Sequence, residues 1–203
     1  MLLNELNSLF SDFLDKFDGF ESSYNAKNNY TGERDISTMT YGEINANSAF
    51  AIINILRDFC KLNRTESVID LGSGIGKVIL AMHYTDLFKY IDGVELLEGL
   101  YSDSLKMISE YSKKYNKYID NIHVFNDDIL NTDISKYDII ISNTAVDNEL
   151  RQNIINKINN EARTGALVIS SITSFEASKL KPVRRFATKW SWGASHINAS
   201  IKE

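Results

Sequence analysis

The sequence predicts a seven-stranded α/β sheet, mostly parallel and covered by helices on both faces, with an antiparallel hairpin at its C-terminal end. Three observations predict it. Short apolar runs alternate with amphipathic stretches from residue 66 to residue 172. One junction, Val68-Ile69-Asp70-Leu71-Gly72-Ser73-Gly74-Ile75-Gly76-Lys77, passes from an apolar run through alternate glycines into a helical pattern. Finally, Val183–Trp190 and His196–Ile201 are two strand-like runs joined near Trp192-Gly193, with no helical stretch between them. Parallel neighbours need right-handed crossovers that carry helices, whereas a hairpin needs only a turn.

In chain order, Leu2, Leu3, Leu6, Leu9, Phe10, Phe13, Leu14 and Phe17 recur at helical spacing, and Gly19 is placed to end that helix. Residues 20–39 lack periodicity and read as a loop crossing toward a ligand cleft. Ala46, Ala49, Phe50, Ile53, Leu56 and Phe59 mark a second helix. Strands follow at 66–71, 90–95, 121–126, 137–142 and 166–172, with helices at about 76–87, 98–116 and 147–162 between them. Two segments result: residues 1–40, a helix and covering loop, and residues 41–203, the α/β domain.

Composition narrows the class. At 203 residues, 43% hydrophobic and 24% charged, the chain has the profile of one globular domain with an ordinary core. No apolar run reaches the length of a membrane span, and the acidic N-terminus is unlike a secretory or transit peptide, so a cytoplasmic location is expected, or a nuclear one in a eukaryote. Cys60 is the one cysteine, expected as a buried core thiol. His83, His123 and His196 have no ligand-like spacing with it, and no metal is expected. The net charge of −5 disfavours strong direct nucleic-acid binding. Acids predominate over residues 1–50, and Lys179, Lys181, Arg184, Arg185 and Lys189 cluster near the end. An acidic lobe suits a basic protein and a basic hairpin suits phosphate; two solvated faces account for the pattern equally well.

The glycine turn discriminates among nucleotide sites. A dinucleotide fingerprint needs a third glycine where Lys77 stands. A phosphate-binding P-loop needs glycine where Leu71 stands and a hydroxyl where Val78 stands. The remaining form, D-x-G-x-G-x-G, is similar to motif I of the class I S-adenosylmethionine methyltransferases. A plain strand–helix connection is the alternative. Ligands of open α/β sheets lie across the carboxyl ends of the strands. That places Asp70, Glu95, Asp127-Asp128-Ile129-Leu130 and Ser142-Asn143-Thr144-Ala145 around one cleft. A carboxylate at Glu95 can accept from two ribose hydroxyls, and an acid beside an apolar residue can hold adenine. Alternatively, Asp127, Asp128 or Asp133 caps a turn, and Asn143 caps the helix starting near Asp147.

Tyr41-Gly42-Glu43-Ile44, Asp70 to Gly76, Gly93-Val94-Glu95, Asp128-Ile129-Leu130, Ser142-Asn143-Thr144-Ala145-Val146 and Ser191-Trp192 together resemble the disruptor-of-telomeric-silencing (DOT) family. These are the histone lysine methyltransferases that lack a SET domain. The resemblance implies S-adenosylmethionine as cofactor and a basic, histone-like protein as substrate. It places Tyr41, Glu43 and Lys77 at the methionine end, with Asp70, Gly72, Gly74 and Gly76 forming the loop. Glu95 falls at the ribose, and Asp128 with Ile129 at the adenine. Asn143 lies beside the methyl group; with Tyr41 it is a candidate for catalysis. Lys77 stands where the family commonly has glutamine. Ser142, Thr144 and Val146 replace an asparagine and two phenylalanines of the family's fourth-strand motif, and His196-Ile197-Asn198-Ala199 stands where it has paired tyrosines. Three functions follow: lysine N-methylation, methylation of another acceptor such as RNA or a small molecule, and a catalytically silent cofactor-binding module.

Overall fold

The computed structural model describes residues 3–37, 39–60, 65–171, 179–190 and 193–203. Its seven strands are β1 (Ser67–Leu71), β2 (Tyr90–Glu95), β3 (Ile122–Asn126), β4 (Ile139–Ser142), β5 (Leu167–Ser170), β6 (Leu180–Trp190) and β7 (Gly193–Lys202), in the order β3-β2-β1-β4-β5-β7-β6. The first five pair in parallel. β6 and β7 form the antiparallel hairpin that the two C-terminal runs predict, and β7 inserts between β5 and β6. The β6–β7 pairing is longer than their apolar cores, and its register shifts between Pro182 and Arg184. Proline lacks the N–H a ladder needs, so its place on the edge strand costs the sheet least.

Period-two alternation divides the strands between two cores. Val68, Ile139, Ile141 and Ile169 join one, with helices α3 (Ala46–Phe59), α4 (Lys77–Tyr84) and α5 (Glu98–Tyr115). Ile69, Leu71, Ile140 and Val168 join the other, with α6 (Asn148–Glu161). Asn116, in the left-handed region at φ 50°, ends α5. Cys60 packs half-buried on the first core instead of being enclosed by it, because it follows the end of α3.

The N-terminal segment departs from expectation. The first helix, α1 (Leu3–Asp12), stops early and gives way to a 3-10 turn at Leu14–Lys16. Gly19 opens a second helix, α2 (Gly19–Asn28), so residues 20–39 are not one loop. The local signal is Asp18, whose carboxylate accepts hydrogen bonds from the Phe20 and Glu21 amides, each at 3.0 Å. That is an N-cap, with Glu21 three residues on completing the capping pattern. Gly19 is small for a packing reason: a Cβ there would collide with the Tyr41 hydroxyl and the Glu43 carboxylate. Leu6, Leu9, Phe10, Phe13 and Leu14 are buried in the same core as α3 to α5.

Candidate functional site

β1 and β4 are adjacent although two βα units separate them in sequence, so the chain reverses direction across the sheet at their carboxyl ends. A crevice opens at such a switch point. A single cleft there is lined by Tyr41, Glu43, Asp70, Gly72, Gly74, Lys77, Glu95, Asp128, Ile129 and Asn143. Of the described residues that the sequence places around the cleft, Asp127, Leu130, Ser142 and Gly76 stand back from the lining. Gly76, at φ 89°, is the N-cap of α4.

The turn after β1 depends on two of its glycines. Gly72 lies at φ 79°, and a Cβ on it would overlap the Thr144 methyl. Gly74 lies at φ 55°, where a Cβ would fall 2.9 Å from the Tyr41 ring. Both conformations strain any residue with a side chain. The turn is held down by β2, since the Gly72 and Ser73 amides each donate to the Val94 carbonyl at 2.9 Å.

Two buried acids face this turn. Glu95 accepts from the Gly74 amide through Oε2 and from the Leu97 amide through Oε1, both at 2.9 Å. Each oxygen keeps a second acceptor direction, so the carboxylate is oriented yet still able to receive a diol. Burial pushes its pKa up, and the backbone donors pull the other way. Asp70 has its pKa pushed up to about 7, first by burial and second by the Glu95 charge. Its protonated form therefore predominates only below about pH 7.

A strap from the N-terminal segment closes the opposite side. The Thr40 amide donates to the Ala145 carbonyl at 2.9 Å, and the Lys27 ammonium donates to the Met39 carbonyl. Tyr41 stacks edge-on against Phe20 with 5.4 Å between centroids, and its hydroxyl lies 3.2 Å from Glu43 Oε1. Burial and the Glu43 charge raise the Tyr41 pKa, so the phenol stays protonated. Lys77 is 5% exposed and sits in the first turn of α4, where the helix dipole disfavours a cation. Glu43 Oε2, 2.7 Å from the ammonium, compensates.

The remaining walls come from the exits of β3 and β4. Asp128 Oδ1 accepts from the Leu130 amide at 2.8 Å, and Oδ2 takes the Arg34 guanidinium. Asp133 caps a turn, accepting from the Ser135 amide and hydroxyl. Asp147 caps α6 itself through the Leu150 amide at 2.8 Å, so Asn143 is not that helix's cap. Instead both polar atoms of the Asn143 amide are buried without a hydrogen-bond partner among the described residues, as is the Thr144 hydroxyl beside it. A buried amide left unpaired is costly, and one that lines a cleft is positioned to be satisfied by a ligand. Among the described residues no cluster of His, Cys, Asp and Glu could hold a metal, and no helix is long and apolar enough to cross a membrane. Ser191 and Trp192 of the sequence motif lie outside the described residues.

Sequence reasoning overlooked Arg34, Lys27 and Met39, all of which line the cleft or fasten the strap over it. The Asp18 cap was the available signal, because a helix at 19–28 leaves only a short connection to bring these residues over the sheet.

Comparison with known proteins agrees with this architecture. A magnesium protoporphyrin IX methyltransferase from Synechocystis PCC 6803 superposes with a TM-score of 0.64 at 14% identity, covering 99% of this chain and 97% of that one. A putative RNA methyltransferase from Pyrococcus horikoshii gives 0.63 at 14% identity, covering 92% and 98%. An RNA methyltransferase from Salinibacter ruber, solved with S-adenosyl-L-homocysteine, gives 0.58 at 18% identity, covering 75% and 92%. Likeness at these identities establishes the class I methyltransferase fold. No curated protein matches the chain. The profile of the histone methylation protein DOT1 matches residues 23–188, which takes in the C-terminal part of α2, the strap and every residue of the cleft named above. The chain therefore belongs to the DOT1 histone methylation protein family.

Proposed function

We propose that this protein transfers a methyl group from S-adenosylmethionine to the side-chain amine of a lysine in a basic, histone-like protein. The observation that carries the reading is the Asn143 amide, buried and unpaired at the end of β4 in a cleft whose other walls suit an adenosyl amino acid. Such a cofactor supplies an electrophilic methyl on a sulfonium, displaced in line by the nucleophile. Asp70 would face its α-ammonium, Glu95 its ribose diol, and the glycine turn would admit its amino-acid end. Ile129 would supply an apolar face for the adenine.

What the protein must add is alignment and a dry approach. A lysine at its ordinary pKa of about 10.4 is protonated and inert as a nucleophile. Burial beside a positive sulfonium lowers that pKa, since desolvation and like charge both disfavour the ammonium. Asn143 Oδ1 then accepts from the neutral amine and turns its lone pair toward the methyl. An acidic groove beside the cleft supports the choice of a basic partner: Glu21 of α2 lines it together with Glu98 and Asp103 of α5, Asp103 being paired with Lys106 at 2.8 Å.

A second acceptor class, RNA or a small molecule, is favoured by one observation. Thr144 and Val146, not large aromatics, line the wall beside Asn143, which leaves it less apolar than a lysine channel calls for. Transfer of radiolabelled methyl to histones, RNA and a small-molecule pool decides between them. Acid-stable label recovered as methyl-lysine is expected; label confined to RNA or small molecules would overturn the lysine reading.

Asp70 makes the cofactor step pH-dependent. A carboxyl whose pKa is about 7 in the folded protein, against 3.8 as its ordinary value, stabilises the folded protein at low pH and loses that contribution as pH rises toward 7. A bound ammonium favours the carboxylate, so binding releases a proton below that pH. Affinity for S-adenosylhomocysteine is therefore expected to rise between about pH 5.5 and 7. Calorimetry in buffers of differing ionisation enthalpy reads the released proton directly, and a flat profile in Asp70→Asn assigns it.

A further inference from the structure

Arg34 has no place in the sequence motifs, yet it joins two walls of the cleft that are 94 residues apart. Its Nε lies 2.6 Å from Asp128 Oδ2, and its terminal NH2 donates to the same oxygen. Asp128 Oδ1 is meanwhile held by the Leu130 amide at 2.8 Å. The carboxylate is thus fixed at both ends and cannot rotate. The pair is also sheltered, with side-chain exposures of 27% and 17%, unlike the solvent-exposed ion pairs that contribute little. Arg34 itself lines the cleft, and it lies on the connection that carries Tyr41 and Glu43.

We infer that Arg34 is a positioning residue of the cofactor site, holding the Asp128 carboxylate in the orientation that receives the exocyclic amine of adenine. The inference rests on the cofactor reading above and not on the identity of the methyl acceptor. With Oδ2 taken by both guanidinium donors and Oδ1 by the Leu130 amide, one acceptor direction remains, on Oδ1 and at a fixed angle, and an ionised carboxylate there receives a donor and repels an acceptor. An amino group at the purine 6-position is such a donor. An oxo group there places two acceptors face to face.

The test compares S-adenosylhomocysteine with S-inosylhomocysteine, its 6-oxo analogue, by calorimetry on the full chain without any acceptor. Wild type is expected to prefer the adenosyl ligand by about tenfold or more, the size of one charge-assisted hydrogen bond. Arg34→Ala should reduce that preference to about threefold or less while the protein still melts cooperatively. Arg34→Lys, which keeps the charge and loses the fork, should fall between. A strap that only tied down the loop would weaken both ligands equally. Equal weakening in Arg34→Ala, an unchanged preference, or no preference in wild type overturns the inference. If wild type bound neither ligand, the cofactor reading itself would fail.

Discussion

Replacing Glu95 with alanine is expected to raise the dissociation constant for S-adenosylmethionine by roughly tenfold to a hundredfold or more, about 1.5–3 kcal/mol, the range for hydrogen bonds to a charged group. The effect is large because the carboxylate is already oriented. Gly74 and Leu97 amides hold its two oxygens, so ribose hydroxyls placed there would gain charge-assisted bonds without the cost of ordering a free side chain. Burial adds to the contrast, since Glu95 is 7% exposed. The substitution also leaves two backbone donors unpaired, and a melting curve measured alongside separates lost binding from a loosened turn. An unchanged dissociation constant would remove Glu95 from the ribose.

Phe10→Ala is expected to cost about 3–5 kcal/mol of stability, as large-to-small changes at buried aromatics do. Phe10 is 2% exposed and belongs to the same core as Ala49, Ile52 and Ile53 of α3. A hole there cannot be refilled by solvent-facing groups, because Leu6, Leu9 and Leu14 around it are themselves fully enclosed. Denaturant unfolding measures it. A loss below about 1 kcal/mol would mean that α1 is a detachable appendage and not part of the domain's core.

These two residues also show how far the sequence could be read. Glu95 was legible because an apolar strand ending in an acid has few interpretations once a glycine turn lies beside it. Asp70, Gly72 and Gly74 were legible for the same reason: strand, turn and helix follow one another locally, and the topology then assembles the strand ends at one edge. The buried spacing of Leu6, Leu9 and Phe10 likewise announced a helix. What local pattern could not convey was contact between distant segments. Arg34 meets Asp128, and Lys77 meets Glu43, only because α2 and the strap fold over the sheet. Gly19 was misread for a related reason. Glycine after an apolar helix usually marks its end, but here the requirement is room for Tyr41 and Glu43, which are adjacent only in three dimensions. For Asn143 the sequence leaves a helix cap as the alternative to a ligand-facing amide, and it is Asp147 that caps α6.

The central claim is that the cleft formed at Asp70, the glycine turn and Glu95 takes an adenosyl amino acid and not a dinucleotide. Native mass spectrometry of the full chain mixed with equal amounts of S-adenosylhomocysteine and NAD tests it most directly. A one-to-one adduct of S-adenosylhomocysteine that is markedly reduced in Glu95→Ala is the predicted result. A NAD adduct, with none from S-adenosylhomocysteine, would contradict it.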